Sequence, residues 1–200
     1  MLNLSYTIGY LMIDHKHKFI FIHIPKCAGI SVGRTLCKLI GEDSNNYEGF
    51  KIHHDEFDEK IWNEYFVFTF IRNPLDRLYS QYRYRNFLYK HDFEYAVKNM
   101  KELYEKHYNF KVDENKTGDL QTILDHYGEW IHLPSQKEFL QGKYSNQIDK
   151  RPYIDFYGKF ETLQQDFDYV CEKVGLPKTK LLHQNKSENE KDFNYERKLF

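Results

Sequence analysis

The junction where Phe19-Ile20-Phe21-Ile22-His23-Ile24 stops at Pro25 and opens into Lys26-Cys27-Ala28-Gly29-Ile30-Ser31 constrains this chain more than any other stretch. An unbroken run of β-branched and aromatic residues reads as a buried strand. After Lys26, the small side chains of Ala28 and Gly29 let backbone N–H groups approach a ligand closely. From Ile30 onward Val32, Leu36 and Leu39/Ile40 recur at helical spacing, so the turn opens a helix. The first N–H groups of that helix and its dipole attract an anion of the phosphate or sulfate kind.

A second junction repeats the arrangement. Tyr65-Phe66-Val67-Phe68-Thr69-Phe70-Ile71 reads as a central strand and runs into Arg72-Asn73-Pro74-Leu75-Asp76-Arg77-Leu78-Tyr79-Ser80. Asn73 suits an N-cap and Pro74 the first helical position. Arg72 then sits at the strand's carboxyl end with a guanidinium able to fork onto a phosphate, and Ser80 lies two turns into the helix with a hydroxyl to donate.

The coarse reading is strand 18–24, helix 30–40, an ill-defined stretch 42–64, strand 65–71 and helix 74–90. Helices follow within 92–107 and 117–127 and near 135–141, then strand 154–160 and helix 162–174. Strands alternating with helices imply an α/β fold: a P-loop-like three-layer α/β/α domain with a central parallel sheet, spanning residues 1–200 as one domain. Ligands of such sheets bind at the carboxyl ends of the strands, where Lys26 and Arg72 fall. The first junction is not a standard P-loop, because Lys26 precedes Gly29 instead of following it. A P-loop kinase is disfavoured on that ground and because no Asp stands as a clear Mg²⁺ ligand.

The order Pro25-Lys26-Cys27-Ala28-Gly29-Ile30-Ser31 resembles the 5′-phosphosulfate loop of PAPS-dependent sulfotransferases, in the carbohydrate ("sulfotransferase family 2") branch. Arg72-Asn73-Pro74 with Arg77 and Ser80 resembles that family's second motif, whose arginine and serine hold the 3′-phosphate of PAPS. Tyr157-Gly158-Lys159-Phe160-Glu161-Thr162-Leu163-Gln164-Gln165-Asp166-Phe167 resembles its late strand–helix unit, and His183-Gln184-Asn185-Lys186-Ser187 its Asn-Lys-Ser loop near the nucleotide. In the helix of that unit Thr162 and Gln165 form a capping box, Leu163, Phe167, Val170 and Val174 an apolar stripe, and Gly175 with Pro177 the stop.

The resemblance implies transfer of a sulfonate from PAPS, as co-substrate and without a metal, to a carbohydrate hydroxyl, leaving adenosine 3′,5′-bisphosphate. Donor binding then falls to Lys26, Cys27, Ala28, Gly29, Ile30, Ser31, Arg72, Ser80 and Lys186. Lys26 also suits charge that moves onto the leaving phosphate. Threonine is usual in the family where Ile30 stands, so one hydroxyl contact to the donor is missing.

For the base, Lys51-Ile52-His53-His54-Asp55 supplies two histidines in the interval where related glycan sulfotransferases carry theirs. In an extended stretch the pair points to opposite faces, so one of them faces the donor. The acidic run Asp55-Glu56-Phe57-Asp58-Glu59 reads as a helix start near His54, which favours His53. His23, inside its strand, reads as a buried, hydrogen-bonded residue instead of a base. The other histidines, from His15 to His183, show no metal-ligand spacing.

The acceptor is read from Arg72, Arg77, Arg83, Arg85 and Lys90, set against Asp76 alone and interleaved with Tyr79, Tyr82, Tyr84 and Tyr89. Such a stretch suits an anionic glycan, and equally an ordinary solvated helix face. A formal net charge of -1 over the chain and the lack of a nucleic-acid motif argue against a nucleic-acid partner. A mean hydropathy of -0.78 and the absence of a long apolar run argue against a membrane span. The first ten residues lack a secretory pattern, and Cys27, Cys37 and Cys171 form neither an even set nor a metal spacing, so a reducing cytoplasm is expected. A degenerate fold that only binds nucleotide or glycan is the remaining alternative, motivated by Ile30 and the early end at Phe200.

Overall fold

The computed structural model describes residues 11–47, 59–109, 136 and 154–182. The expected helix at 117–127 lies outside them. The chain divides into two compact units, one of Met1–Arg72 with Pro134–Gln184, the other of Asn73–Leu133 with Asn185–Phe200.

The first unit is built on a four-stranded mixed sheet in the order β1 (Leu11–Asp14), β2 (Phe19–Ile22), β3 (Phe66–Ile71), β4 (Phe156–Lys159). β2 and β3 pair in parallel from Phe19↔Phe66 to Ile22↔Thr69, and β3 and β4 from Phe68↔Phe156 to Ile71↔Lys159. The expected central parallel sheet is present in β2, β3 and β4, and the strand that the sequence reading did not include, β1, joins it at one edge by pairing antiparallel with β2. Its return is too short for a crossover: the Asp14 carboxylate accepts from the His17 N–H at 2.5 Å, and Lys18 takes a left-handed φ of 52°.

Alternation along the strands sorts the core. Met12, Phe19, Phe21, Phe68 and Phe70 pack with Val32, Leu36 and Cys37 of α1 (Gly29–Ile40) and with Phe167, Val170 and Cys171 of the late helix Leu163–Lys173. Ile20, Ile22 and Val67, one residue out of step, pack instead with Trp62 of α2 (Glu59–Glu64). Phe21 and Phe68 stack at 5.2 Å between ring centres.

The late helix carries its expected apolar stripe and closes with the Leu176 N–H on the Cys171 carbonyl at 2.8 Å. Its start differs from the expected capping box. The Thr162 hydroxyl donates to Asp166 Oδ2 at 2.7 Å, the same oxygen accepts the Lys159 N–H at 2.7 Å, and Thr162 caps no backbone group. A carboxylate outcompetes a hydroxyl as acceptor, and the 3₁₀ turn Phe160–Thr162 brings it within reach.

The second unit is helical where described: α3 (Pro74–Tyr84), α4 (Asn86–Tyr89), α5 (Phe93–Lys98) and α6 (Met100–Tyr108). The late helix of the first unit is accordingly α7. Asn73 caps α3 as read, its Oδ1 accepting from the Leu75 N–H at 2.9 Å and the Asp76 N–H at 3.3 Å. The single helix expected over 74–90 breaks at Arg85, whose φ of -102° and ψ of 104° leave the helical region. The break lets Leu88 and Phe93 join Tyr79, Tyr82, Ala96 and Tyr104 in one buried cluster, apolar gain that a straight helix would forgo.

Candidate anion-binding site

The turn after β2 is strained in an ordered way. Lys26 and Ala28 adopt left-handed φ values of 67° and 63°, whereas Cys27 between them does not. Non-glycine residues avoid this region, and such alternation is how a backbone forms an anion-binding concavity. The Cys27 N–H turns back to the Ile24 carbonyl at 3.3 Å. The first i→i−4 bond of α1 runs from the Val32 N–H to Ala28 at 3.0 Å, so the N–H groups of Gly29, Ile30 and Ser31 lie in the first turn, ahead of the helix's own i→i−4 ladder. Ala28, the N-cap residue, has no side chain able to cap that turn.

What holds α1 so close to the sheet is a pair of rings on a pair of glycines. His23 stacks between Phe21 and Tyr47, each with ring centres 6.1 Å away. A Cβ on Gly29 would meet the His23 ring at 1.8 Å, and one on Gly33 would meet the Tyr47 ring at 1.9 Å. His23 Nδ1 pairs with the Tyr47 hydroxyl at 3.3 Å. Burial, with the Lys26 charge second, lowers the His23 pKa to about 3, so the imidazole is neutral at ordinary pH and serves packing, as its position inside the strand suggested.

Arg72 follows β3 directly and meets the turn. Its Nη1 donates to the Lys26 carbonyl at 3.4 Å, and its guanidinium lies 3.9 Å from the centre of the Phe160 ring. Stacking on an aromatic face fixes the guanidinium plane while leaving its edge for hydrogen bonding. Two cationic residues from adjacent parallel strands are thereby brought to one strand-end locus, the place where open α/β sheets bind ligands.

Gln136 was not anticipated. Its Oε1 accepts the Arg72 N–H at 2.8 Å and the Cys27 thiol at 3.3 Å, and its Nε2 donates to the Arg72 carbonyl at 2.7 Å. A single glutamine in a stretch read only as a helical piece carries no local signal. Thr35 supplies a further tie: its hydroxyl donates to the Ser31 carbonyl at 2.7 Å and accepts from the Leu182 N–H at 3.1 Å.

Of the other sequence-derived candidates, Ser31 is buried in the first turn of α1, and Ile30 is half-buried against the core. Ser80 is half-buried in α3, in the helical unit. His53, His54 and Lys186 lie outside the described residues. The basic aromatic stretch needs correction as an acceptor platform: Arg77, Arg85, Tyr79 and Tyr82 are buried, and the Tyr82 hydroxyl is spent on the His91 carbonyl at 2.7 Å. Tyr84 and Tyr89 stay exposed, with the guanidinium of Arg83 over Tyr89.

Comparison with known proteins decides what this geometry belongs to. The model of a family described as the sulfotransferase family matches residues 10–199. The chain belongs to the sulfotransferase family. This sulfotransferase-family chain is 27% identical over 196 residues to human carbohydrate sulfotransferase 9, covering 88% of itself and 43% of that protein. It is 24% identical over 185 residues to zebrafish carbohydrate sulfotransferase 14, covering 85% and 49%, and 24% identical over 191 residues to mouse carbohydrate sulfotransferase 11, covering 84% and 54%. The chain thus spans about half the length of these curated relatives. No solved structure gives a significant match.

Proposed function

We propose that this chain transfers a sulfonate group from PAPS to a hydroxyl of a carbohydrate acceptor. The observation that carries the reading is the meeting of Arg72 with the Lys26 turn, through Arg72 Nη1 and the Lys26 carbonyl at 3.4 Å, in a chain of this family. The residues suit such a donor: a helix N-terminus and the left-handed turn before it favour one anionic group, and a stacked arginine a second. The same reading takes the mixed sheet as the centre of a P-loop-like three-layer domain, and takes the three buried free thiols, Cys27, Cys37 and Cys171, as those of a reducing compartment such as the cytoplasm.

PAPS supplies the activated sulfonate, and its leaving group is adenosine 3′,5′-bisphosphate. The chain must hold that leaving group, neutralise it, and remove one proton. The N–H groups of Gly29, Ile30 and Ser31 bind at the 5′ end, with Cys27 and Ala28 shaping the turn. The Lys26 ammonium follows the negative charge that grows on the leaving oxygen. Arg72 binds the 3′-phosphate through its fork, a role the family pattern also assigns to Ser80, with Lys186 at the Asn-Lys-Ser loop. His53 or His54 accepts the proton of the attacking hydroxyl, a task suited to neutral imidazole.

Incubation with sulfur-labelled PAPS and pooled glycans tests the activity, label in the polysaccharide fraction being the expected result. Binding of adenosine 3′,5′-bisphosphate without transfer to any glycan would instead identify a non-catalytic binding fold.

A further inference from the structure

β2 and β3 run side by side only as far as Ile22 and Thr69, where the Thr69 hydroxyl donates to the Ile22 carbonyl at 2.7 Å. Beyond that rung β2 bends into the Lys26 turn, while β3 continues to Ile71 with β4 along its other edge. The Gln136 amide links the two diverging ends. Its three hydrogen bonds engage both backbone polar groups of Arg72 and the thiol of Cys27. A primary amide offers the same donor and acceptor as a peptide group, so Gln136 adds one rung to β3 and fastens that rung to the turn.

The geometry points to Gln136 as a positioning residue that sets the spacing between the Lys26–Ser31 turn and Arg72, and with it the preference for a ligand bearing two anionic groups over a ligand bearing one. The inference rests on the donor reading given above. Each anion-binding element keeps its own donors when Gln136 is replaced. What is lost is their preset separation, which a ligand with phosphates at both ends requires and a ligand with one phosphate does not.

The test compares adenosine 3′,5′-bisphosphate with adenosine 5′-phosphate by calorimetry on the full chain, wild type against Gln136→Met, which keeps side-chain length and removes all three hydrogen bonds. The wild type should favour the bisphosphate, and the variant should lose about tenfold of that preference while its affinity for the monophosphate changes far less. Amide exchange should quicken at Arg72 and stay slow at Thr69, a pattern that general destabilisation would not produce. Should Gln136→Met fail to fold, Gln136→Asn, one methylene short of its partners, carries the same comparison. A folded variant with wild-type preference overturns the role of Gln136 and leaves the donor reading standing. A wild type that binds both nucleotides alike overturns the donor reading, and the positioning role with it.

Discussion

His23 and Gly29 occupy one space: a Cβ on Gly29 would lie 1.8 Å from the His23 ring, which is itself stacked between Phe21 and Tyr47. The ring therefore cannot swing away, and the N-terminus of α1 sits against the sheet only because residue 29 has no side chain. Gly29→Ala should destabilise the fold by about 1–3 kcal/mol, the usual cost of overpacking. Chemical denaturation measures it, and a His23→Ala background should recover part of the loss. Equal costs in both backgrounds would show the two residues to be uncoupled.

The depressed pKa of His23 makes a prediction about acid. Its value of about 3 in the folded chain, against 6.5 as reference, means the unfolded chain binds the extra proton first. The stability contributed by neutral His23 is complete above pH 6.5 and is lost progressively as pH falls toward 3. The imidazole resonances of His23 should not titrate between about pH 8 and 5. His23→Leu should flatten the stability profile over the acid range, even if it lowers stability at neutral pH. A His23 that titrates near 6.5 would remove the burial argument.

Arg72 and Lys26 should separate in their effects. Arg72→Ala should cost about 2–4 kcal/mol of affinity for adenosine 3′,5′-bisphosphate, the loss expected for a forked phosphate contact. Arg72→Lys should not restore it, since an ammonium neither forks nor stacks on Phe160 as a guanidinium does. Lys26→Ala should reduce turnover more than it weakens the bisphosphate product. A Lys26→Ala chain with full turnover would take that ammonium out of the mechanism.

The base assignment yields a pH profile. One of His53→Ala and His54→Ala should bind the bisphosphate normally and lose roughly two to four orders of magnitude in turnover, with the neighbouring variant nearly silent. The rate should rise with pH through the ionisation of that histidine, because only neutral imidazole accepts a proton, and the rising limb should vanish in the inactive variant. Wild-type turnover in both variants would move the base elsewhere, with Glu56 next and a correspondingly more acidic limb.

Local chemistry was readable in the chain itself. The β2 and β3 runs, the Asn73-Pro74 start of α3, the apolar stripe of α7 and the small-residue turn after Lys26 all follow from side-chain size, periodicity and capping over a few neighbouring residues. The features that read differently in three dimensions depend on partners far away in sequence. Tyr79 and Tyr82 read as surface aromatics until Leu88, Phe93 and Tyr104 close over them, and the same burial breaks the helix at Arg85. The antiparallel β1 edge is decided by the turn that Asp14 makes with His17, and the neutrality of His23 by its burial in the folded core, with the Lys26 charge second. Arg72 meets the Lys26 turn across 46 residues of chain, and Gln136 meets Cys27 across 109. Local preferences specify which segments become strands, helices and caps, but no preference of a single glutamine encodes the two strand ends it joins. That junction exists only once the sheet has brought them together.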